Sequence, residues 1–320
     1  MADRKPGIVF MGTPDFAVPS LEILIQNNYP VKAVVTAVDK PSGRGLKIRE
    51  SAVKRVAVAH GIPVIQPVSL KNNEFVGQLR DFNAELFVVV AFRMLPRIVW
   101  NIPPMGTINL HASLLPSYRG AAPINHAIIN GEKISGVTTF IIEQEIDKGK
   151  ILFQEKTDIA DDETAGSLHD RLMLIGARVL LKTVKAMSEG FVIPLSQDEI
   201  TVNKNLPVAP KISKNDCRID WSSSAEKIYD FVRGLSPYPA AWTFLNSGDK
   251  VIKLKIFKVE KIQSPHTYSS GQVMKYDDNI IIATGEDAVV FKYIQPEGRK
   301  VMTGSEFLRG FRFDNNAFCI

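Results

Sequence analysis

The sequence predicts an α/β protein in which a mostly parallel sheet with covering helices is followed by a smaller β-barrel domain. Residues 1–190 alternate short apolar runs with helical patterns, which is typical of parallel strands joined by crossover helices. Residues 191–209 have no sustained period and contain two prolines, as a linker does. Residues 210–320 contain several short strand patterns separated by turn signals, which favours a small barrel.

The elements of the first domain follow from hydrophobic periodicity. Short apolar runs bounded by turn residues predict strands at 7–12, 31–38, 63–67, 84–92, the segment ending at 111, and a hairpin of 136–143 with 150–158. Apolar residues at helical intervals predict helices at 14–27, 50–60, 73–82, 122–130 and 164–189. The run AELFVVVAF at 84–92 is almost continuously apolar, as expected for a strand that is covered on both faces.

The second domain shows a helix and then strands. A serine run precedes a predicted helix over 224–235 and can cap its first turn. The predicted strands lie in PYPAAWTFL, KVIKLKIFKVEKI, SSGQVMKY, NIIIATG and AVVFKYIQPEGR. Within the second of these segments, Lys253 and Lys255 fall on the face opposite Leu254 and Ile256. This face is either a solvated edge that lysines protect from aggregation or a basic surface for an acidic partner.

Composition restricts the class of protein. The chain has 320 residues, of which 45% are hydrophobic and 23% charged, so it resembles an ordinary soluble globular protein with the length for two cores. Its longest apolar run, residues 86–92, is far shorter than a membrane span. The start MADRKPG leads into a strand and does not resemble a signal peptide. We therefore expect a cytoplasmic protein with no membrane partner.

Cofactor signals of the usual kinds are missing from the sequence. The two cysteines, Cys217 and Cys319, are too far apart for metal-ligand spacing and do not form a disulfide framework. No GxGxxG pattern stands between a strand and a helix, which argues against a dinucleotide site. The sequence thus predicts neither a bound metal nor a dinucleotide.

Positive charge is concentrated in one short segment. The chain has a net charge of +5, and residues 40–55 alone carry the same surplus. The basic residues of this segment are Lys40, Arg44, Lys47, Arg49, Lys54 and Arg55. Glycines on both sides of Arg44 make an extendable loop that could become ordered on a polyanion. The alternative is a solvated loop followed by a helix with a basic exposed face.

An amide and an imidazole lie two residues apart in GTINLHASLLPSYRGAAP, which starts at Gly106. Because side chains of a strand repeat every second residue, Asn109 and His111 point to one face while Ile108 and Leu110 point into the core. An amide donor beside a histidine that can be cationic suits an oxygen that gains negative charge during a reaction. Acyl transfer is the reaction class that most needs this arrangement.

This segment, together with Asp147 in EQEIDKGK, resembles the Asn…His…Asp signature of the 10-formyltetrahydrofolate-dependent formyltransferases. The resemblance runs from IVFMGTPDFA at 8–17 to RGLSPYPAAWTF at 233–244 and covers the whole chain. It implies a Rossmann-like formyltransferase domain over 1–190, a linker over 191–209 and an OB-fold-like, tRNA-binding domain over 210–320. The implied reaction transfers the formyl group of 10-formyltetrahydrofolate to the α-amine of methionine on initiator tRNA. We expect the chain to act as a monomer.

The resemblance also implies roles for individual residues. Asn109, His111 and Asp147 are the implied catalytic residues. The implied folate contacts are Phe92 and Leu95 in the AFRMLP segment and the turn formed by Ser113, Leu114, Leu115 and Pro116. The implied tRNA contacts are Lys40, Arg44, Lys47, Lys253 and Lys255. One departure concerns the segment after Asp147, where this chain reads IDKGK and many members of the family read LDTGD.

Two other functions compete with this interpretation. A formyltransferase that acts on glycinamide ribonucleotide or an amino sugar would use the same three residues and the same folate. It would not need the basic segment at 40–55 together with a basic small barrel. A non-catalytic RNA-binding protein would need the basic segments, but would give no reason for the three polar residues to coexist. Taken singly, each of the three also has a structural explanation: a strand end for Asn109, a core histidine for His111 and a turn for Asp147.

Overall fold

The computed structural model describes residues 4–42, 47–200, 205–276, 279–314 and 316–320. The chain divides into two compact units. Unit 1 comprises Met1–Gly120, Ser135–Thr157 and His169–Val208, and unit 2 comprises Ala121–Ile134, Asp158–Leu168 and Ala209–Ile320. The domain boundaries proposed from the sequence stay a prediction.

Unit 1 is built on a seven-stranded sheet with strand order β10-β9-β7-β6-β1-β2-β5. The strands of its parallel part are β1 (Ile8–Gly12), β2 (Val31–Val35), β5 (Val64–Ile65), β6 (Leu86–Val90) and β7 (Thr107–His111). β9 (Ile134–Ile141) pairs antiparallel with β7, and β10 (Ile151–Asp158) forms the edge of the sheet beyond it. The predicted mostly parallel sheet is confirmed.

The described part of residues 1–190 contains the five predicted helices, with shorter bounds than predicted, and one short helix at Arg97–Trp100 that the sequence did not indicate. They are α1 (Val18–Gln26), α2 (Ala52–Ala59), α3 (Asn73–Asp81), α4 (Arg97–Trp100), α5 (Pro123–Ile129) and α6 (Ala165–Glu189). The Ser51 side chain caps α2 by accepting from the Lys54 amide at 3.0 Å. The Asn72 side chain caps α3 by accepting from the Glu74 amide at 2.7 Å.

The core of unit 1 explains why its central strands are apolar at every position. All five residues of β1 and all five of β6 are buried. On one face, Val9 and Phe87 pack with Phe75 and Leu79 of α3. The sheet thus has apolar cover on that face, and its strand residues that point the other way are buried as well.

A short hairpin occupies the basic segment at 40–55, where the sequence suggested a loop. β3 (Lys40–Ser42) pairs antiparallel with β4 (Lys47–Arg49), with Lys40 opposite Arg49. The two strands read KPS and KIR. Each has three residues, which is too short for the alternation over about four to eight residues that predicts a strand. Arg44 lies outside the described residues.

Unit 2 contains the predicted barrel. Its main sheet has the order β14-β15-β16-β13-β12-β18, and the strands that it pairs directly are antiparallel. The strands are β12 (Ala241–Ser247), β13 (Lys250–Ile262), β14 (Val273–Tyr276), β15 (Asn279–Ala283), β16 (Ala288–Pro296) and β18 (Phe318–Cys319), with β17 (Met302–Thr303) on β16. A bridge from Gln272 to Phe318 joins the two ends, so the sheet is nearly closed.

The barrel core is covered by a helix that the sequence predicted. In α8 (Ala225–Leu235), Ser224 caps the first turn as expected, accepting from the Lys227 amide. Ile228 and Val232 of this helix pack with Ile256 and Phe291 of the barrel. The remaining elements are the short helices α7 (Gln197–Ile200) and α9 (Gly304–Gly310) and the short strands β8 (Arg119–Gly120) and β11 (Val208–Ala209). None of the helices in the described part of the chain is both long and apolar enough to span a bilayer.

Candidate active site

Strand β7 carries the first two candidate residues at its carboxyl end. Asn109 lies opposite Val89 of the parallel strand β6 and opposite Phe140 of β9. Ile108 and Leu110 are buried, as predicted from the alternation of the strand. In open α/β sheets the carboxyl edge of the strands is where ligands bind, so this edge is the natural place for chemistry.

The ring of His111 has one nitrogen engaged and the other facing a carboxylate. The His111 side chain is buried, and its Nε2 lies 2.9 Å from the carbonyl oxygen of Tyr118. Because a carbonyl only accepts, Nε2 carries the hydrogen of this bond. Nδ1 lies 3.9 Å from Oδ2 of Asp147. This distance brings the two side chains together as an ion pair when the imidazole is protonated, just beyond a direct hydrogen bond.

Asp147 lies in the connection between β9 and β10, and its side chain is 13% exposed. Its Oδ2 accepts a hydrogen bond from the Gly120 amide at 3.0 Å. Oδ1 has no hydrogen-bond partner among the residues that the structure describes. Asp147 therefore keeps one carboxylate oxygen available for a proton or a water.

Three residues around this edge adopt a left-handed backbone conformation that non-glycine residues rarely take. They are Ala91, directly after β6, with φ of 47°, Tyr118, with φ of 60°, and Asp147, with φ of 53°. Tyr118 supplies the carbonyl that binds His111, and Asp147 supplies the carboxylate. Backbone strain of this kind is typical of functional sites.

Asn109 is half-buried, and its side-chain amide makes no hydrogen bond within the described part of the chain. Buried amides are normally paired, so an amide at this edge without a protein partner is available to a ligand. The structure thus brings Asn109, His111 and Asp147 to one edge of unit 1.

The SLLP turn follows β7 directly and is largely packed into the fold. The Ser113 hydroxyl donates to the Ser117 carbonyl at 2.7 Å, and the Leu115 amide donates to Oγ1 of Thr138 at 3.1 Å. Leu115 packs against Phe140 and Ile151, and Pro116 is also buried. Leu114 is half-buried, so among the side chains of this turn it has the most surface to offer a ligand.

The segment from Ala91 to Pro96 follows β6. Phe92 is partly buried against the core of unit 1, and Leu95 is buried within it. Arg93 donates from Nη1 to the Val68 carbonyl at 3.0 Å and from Nη2 to the Pro67 carbonyl. Burial lowers the pKa of Arg93. Both folate candidates of this segment therefore contribute to packing, and Arg93 ties the segment to the preceding loop.

Two side chains that the sequence did not single out connect the site. The Gln197 amide donates to the carbonyl oxygens of Asp147 and Gly149, each at 2.8 Å. Its Oε1 accepts from Nε and Nη2 of Arg119 at 3.0 and 2.5 Å. Gln197 lies in the stretch predicted as a linker, yet only 2% of its surface is exposed. A lone glutamine in an aperiodic segment carries no pattern from which burial could be predicted.

Gly149 allows the Asp147 connection to pass close to β9. A Cβ at this position would lie 1.6 Å from the Ile141 carbonyl oxygen. We expect Gly149→Ala to lower the free energy of unfolding by about 3 kcal/mol or more, because the connection must move away from β9. Gly77→Ala is the matched control: apart from its chain neighbours and its own helix backbone, no atom of the described residues lies within 4 Å of a Cβ at this position. In helix α3 this change should stabilise by about 0.5–1 kcal/mol. Urea unfolding tests both, and equal effects would contradict the expectation.

The basic hairpin is fixed at both ends by one lysine. Nζ of Lys54 lies 2.5 Å from Asp39, which precedes β3, and 3.0 Å from Glu50, which follows β4. The hydrogen bond from Lys54 holds the pKa of Asp39 below its usual value, and the hydrogen bond to Asp39 raises the pKa of Lys54. The Lys40 side chain is exposed, and the backbone of Lys47 pairs with Ser42. The charge of Lys54 is thus used within the protein.

Lys253 and Lys255 lie beside aromatic rings on unit 2. Lys253 is opposite Phe244, and Lys255 is opposite Trp242. Nζ of Lys253 lies 4.1 Å from the centroid of the Trp242 ring, and the Arg218 guanidinium lies 5.8 Å from the same centroid. The rings of Trp242 and Phe244 meet edge to face, with centroids 5.4 Å apart. Cations beside aromatic rings are the composition of a surface for single-stranded nucleic acid.

Within the described ranges, no group of three or more His, Cys, Asp or Glu side chains is placed to hold a metal ion. Cys217 and Cys319 are free and buried. Burial raises the pKa of both thiols. A buried thiol that stays protonated is a weak nucleophile, so neither cysteine is a candidate for the chemistry.

Sequence comparison matches the chain to one family in both halves. The profile described as formyl transferase matches residues 7–184, and the profile described as formyl transferase, C-terminal domain, matches residues 211–312. Methionyl-tRNA formyltransferase of Bacteroides fragilis is 48% identical over 306 residues, which cover 95% of this chain and 94% of that protein. Methionyl-tRNA formyltransferase of Flavobacterium johnsoniae is 46% identical over 314 residues, covering 98% of this chain and 99% of that protein.

Solved structures of low sequence identity share the fold. HypX from Aquifex aeolicus in complex with tetrahydrofolic acid superposes with a TM-score of 0.63 at 16% identity, covering 95% of this chain and 47% of that chain. This chain therefore spans about half the length of HypX. The N-formyltransferase from Helicobacter canadensis, in complex with folinic acid and dTDP-3-aminofucose, gives a TM-score of 0.62 at 19% identity, covering 90% of this chain and 98% of that chain.

Proposed function

The chain belongs to the formyl transferase family, and on this premise we propose that it transfers the formyl group of 10-formyltetrahydrofolate to the α-amine of methionine on initiator tRNA. The resemblance inferred from the sequence is thereby confirmed. The relatives named above, which are 46–48% identical over nearly the whole chain, carry the name methionyl-tRNA formyltransferase. Their name favours the tRNA-linked amine over a small amine as the acceptor. The cytoplasmic location and the monomeric state stay predictions.

The observation that carries the catalytic proposal is the approach of Asp147 to His111 beside an unpaired amide. Asp147 Oδ2 lies 3.9 Å from His111 Nδ1, and the Asn109 amide has no hydrogen bond within the described residues. A carboxylate next to the imidazole stabilises a positive charge on the ring. The three side chains therefore combine an imidazole, an uncharged amide donor and a carboxylate at one edge of the sheet.

The proposed roles follow from the side-chain atoms of Asn109, His111 and Asp147 that make no hydrogen bond within the described residues. Formyl transfer adds an amine to the formyl carbon, which makes the formyl oxygen negative, and then breaks the bond from that carbon to N10 of the folate. His111 Nδ1–H and the Asn109 amide would stabilise the negative oxygen, since Nε2–H is already bound to the Tyr118 carbonyl. Asp147 Oδ1 would accept the proton that the amine loses, directly or through a water, and that proton would be passed to N10 as its bond to the formyl carbon breaks.

The residues proposed for folate fit an apolar ligand with polar edges. Phe92 and Leu114 are partly exposed and can contact a ring system, and the unpaired Asn109 amide can donate to it. Ser113, Leu115 and Pro116, by contrast, are buried, so they would act by shaping the backbone of the turn. Leu95 would support Phe92 from the core. When bound, the folate supplies the activated formyl group.

Two basic surfaces support a nucleic-acid substrate. In unit 1 the proposed contacts are Lys40 and Lys47, on the strands β3 and β4 whose outer ends Lys54 fixes, and Arg44, which lies outside the described residues. In unit 2 they are Lys253 and Lys255, next to the rings of Trp242 and Phe244. Phosphates would bind the cations, and unpaired bases would stack on the rings. A formyltransferase for a small amine has no need of either surface.

We expect the double substitution Lys253→Met and Lys255→Met to weaken tRNA binding and leave folate binding unchanged. Each lysine that neutralises a phosphate contributes about one to the slope of log K against log salt, so the slope should become shallower by about two. Filter binding of tRNA across a salt series measures it. Lys261→Met is the matched control on the same strand, because the Lys261 ammonium is already paired with Glu226 at 2.5 Å. An unchanged slope in the double variant would remove unit 2 from the proposed interface.

The test of the proposed function compares acceptors. The full chain is mixed with 10-formyltetrahydrofolate and with methionyl-initiator tRNA, glycinamide ribonucleotide or a nucleotide-linked amino sugar in separate reactions. Release of tetrahydrofolate and formylation of the acceptor are followed together. We expect turnover with the charged tRNA alone. Turnover with a small amine instead would assign a different acceptor, and no turnover with any of them would overturn the enzymatic proposal.

A further inference from the structure

Gln197 uses every hydrogen-bonding atom of its side chain within unit 1. Its two N–H groups donate to the carbonyl oxygens of Asp147 and Gly149, each at 2.8 Å. Its oxygen accepts twice from the guanidinium of Arg119, at 3.0 Å and 2.5 Å. An amide offers two donor hydrogens and two acceptor lone pairs, so no capacity is left. A buried side chain with four such bonds fixes the groups that it binds.

These hydrogen bonds belong to a closed network that includes both His111 and Asp147. Arg119 stands between Tyr118, whose carbonyl accepts from His111 at 2.9 Å, and Gly120, whose amide donates to Asp147 at 3.0 Å. Gln197 connects the Arg119 side chain back to the Asp147 backbone. The segment 118–120 thus contacts the imidazole at one end and the carboxylate at the other. Movement of Arg119 or Gln197 would change the distance between the two catalytic candidates.

The connection that carries Asp147 needs such support. Asp147 has a left-handed backbone with φ of 53°, a conformation that few residues other than glycine, asparagine and aspartate adopt. Catalytic geometry must be kept to about 0.5 Å, and the gap of 3.9 Å between His111 and Asp147 is sensitive to shifts of that size. The carbonyls of Asp147 and Gly149 are the backbone groups through which Gln197 can set this gap.

We propose that Gln197 and Arg119 are positioning residues for formyl transfer, which hold Asp147 against the His111 side of the site. This inference rests on the proposed function. Neither side chain is assigned a contact with a substrate. Only an amide fits position 197: a glutamate would set a carboxylate against two carbonyl oxygens, and a methionine of similar length would lose all four bonds.

The primary test is Gln197→Met in the full chain, assayed with 10-formyltetrahydrofolate and methionyl-tRNA each varied up to saturation. We expect kcat to fall by about 10–100-fold, the range seen when outer supporting residues of a site are removed. KM for either substrate should be unchanged, because neither substrate is bound by Gln197. In Gln197→Glu, kcat should fall by at least as much. If no substitution at position 197 gives a folded protein, Arg119→Met should show the same loss of kcat.

A stability control separates positioning from folding. Thr183→Val removes a buried hydroxyl of unit 1 that lies 2.7 Å from the Thr139 hydroxyl and donates to the Val179 carbonyl at 2.7 Å. It has no bond to the His111–Asp147 pair. We expect Gln197→Met and Thr183→Val to lower Tm comparably and only the former to lower kcat. Equal kcat values at equal Tm would overturn the inference.

A double variant tests the route of the effect. If Gln197 acts through Asp147, then Gln197→Met combined with Asp147→Asn should be no slower than Asp147→Asn alone, because residues that act as a unit are not additive. Multiplied losses would contradict the inference.

One readout does not depend on turnover. Hydrogen exchange of the Gly120 amide, which donates to Asp147, should become faster in Gln197→Met and stay unchanged in Thr183→Val. Unchanged exchange at Gly120 would overturn the positioning role. Faster exchange in a protein whose wild type formylates no acceptor would instead overturn the proposed function and leave the structural link intact.

Discussion

His111→Ala is expected to lower kcat by about 10²–10³-fold, the loss typical of removing one donor to a developing oxyanion. The imidazole is buried, with Nε2 bound to the Tyr118 carbonyl and Nδ1 facing Asp147, so its removal takes away the proposed Nδ1 donor and leaves the Asn109 amide. Affinity for methionyl-tRNA should be nearly unchanged, because the contact strengthens in the transition state. Steady-state kinetics and filter binding of tRNA measure the two quantities.

The matched control for this substitution is His126→Ala. His126 also bonds a backbone carbonyl through Nε2, in its case that of Pro210 at 3.0 Å in unit 2. The His126→Ala variant therefore shows how far stability and activity change when an imidazole with a similar hydrogen bond is removed. We expect the kcat of this variant to match that of the wild type. A parallel loss of turnover and tRNA affinity in His111→Ala would assign His111 to binding and leave the oxyanion without its proposed cation.

Asp147→Asn is expected to lower kcat by about 10²–10⁴-fold, the range for loss of a general base. Asparagine tolerates the left-handed backbone at this position, where φ is 53°, and its amide oxygen can still accept from the Gly120 amide. The substitution thus removes the charge and the proton acceptor while keeping the fold of the connection. Single-turnover assays with preloaded folate measure the chemical step.

Glu145→Gln serves as the control for Asp147→Asn. Glu145 lies in the same connection, is exposed and pairs with Lys148. Removing its charge should leave kcat unchanged, since no atom of the candidate triad contacts it. A full rate in Asp147→Asn would show that the carboxylate neither takes the proton nor stabilises the imidazolium.

Lys148 and Lys150 stand where the sequence departs from its relatives, and the structure shows what surrounds them. Lys148 bonds Glu145 within the connection, and the Lys150 carbonyl accepts from the Ile141 amide at 3.0 Å. Neither side chain has a bond to His111 or Asp147. The two lysines thus leave the approach of Asp147 to His111 in place.

The secondary structure of this protein could be predicted from local pattern. The run LFVVV predicts a fully covered strand, and all five residues of β6 are buried. Serine before an apolar repeat predicts the capped helix α8. The two-residue spacing of Asn109 and His111 places both at the carboxyl edge of β7. Each of these features depends on neighbours in sequence, and such information is local by nature.

Other features had no local signal. The strands β3 and β4 have three residues each, too few for alternation to predict them, and the sequence indicated a loop. The turn motif gave no indication that the Leu115 side chain packs with Phe140 and Ile151, and its contact with folate stays a prediction. Contacts with residues that are distant in sequence decide which side of a turn faces the core. The residues of the turn motif alone therefore do not predict that side.

The sequence by itself determined the α/β and barrel layers, the edge that carries Asn109 and His111, and the family to which the chain belongs. Only the tertiary structure decided that Asp147 lies 3.9 Å from His111 and that Gln197, from a stretch that looks like a linker, joins Arg119 to the Asp147 connection. The physical reason is that the hydrophobic period of a segment indicates only which face of its helix or strand is buried. A hydrogen bond between residues that are 50 or 78 positions apart depends instead on where the folded chain places both partners.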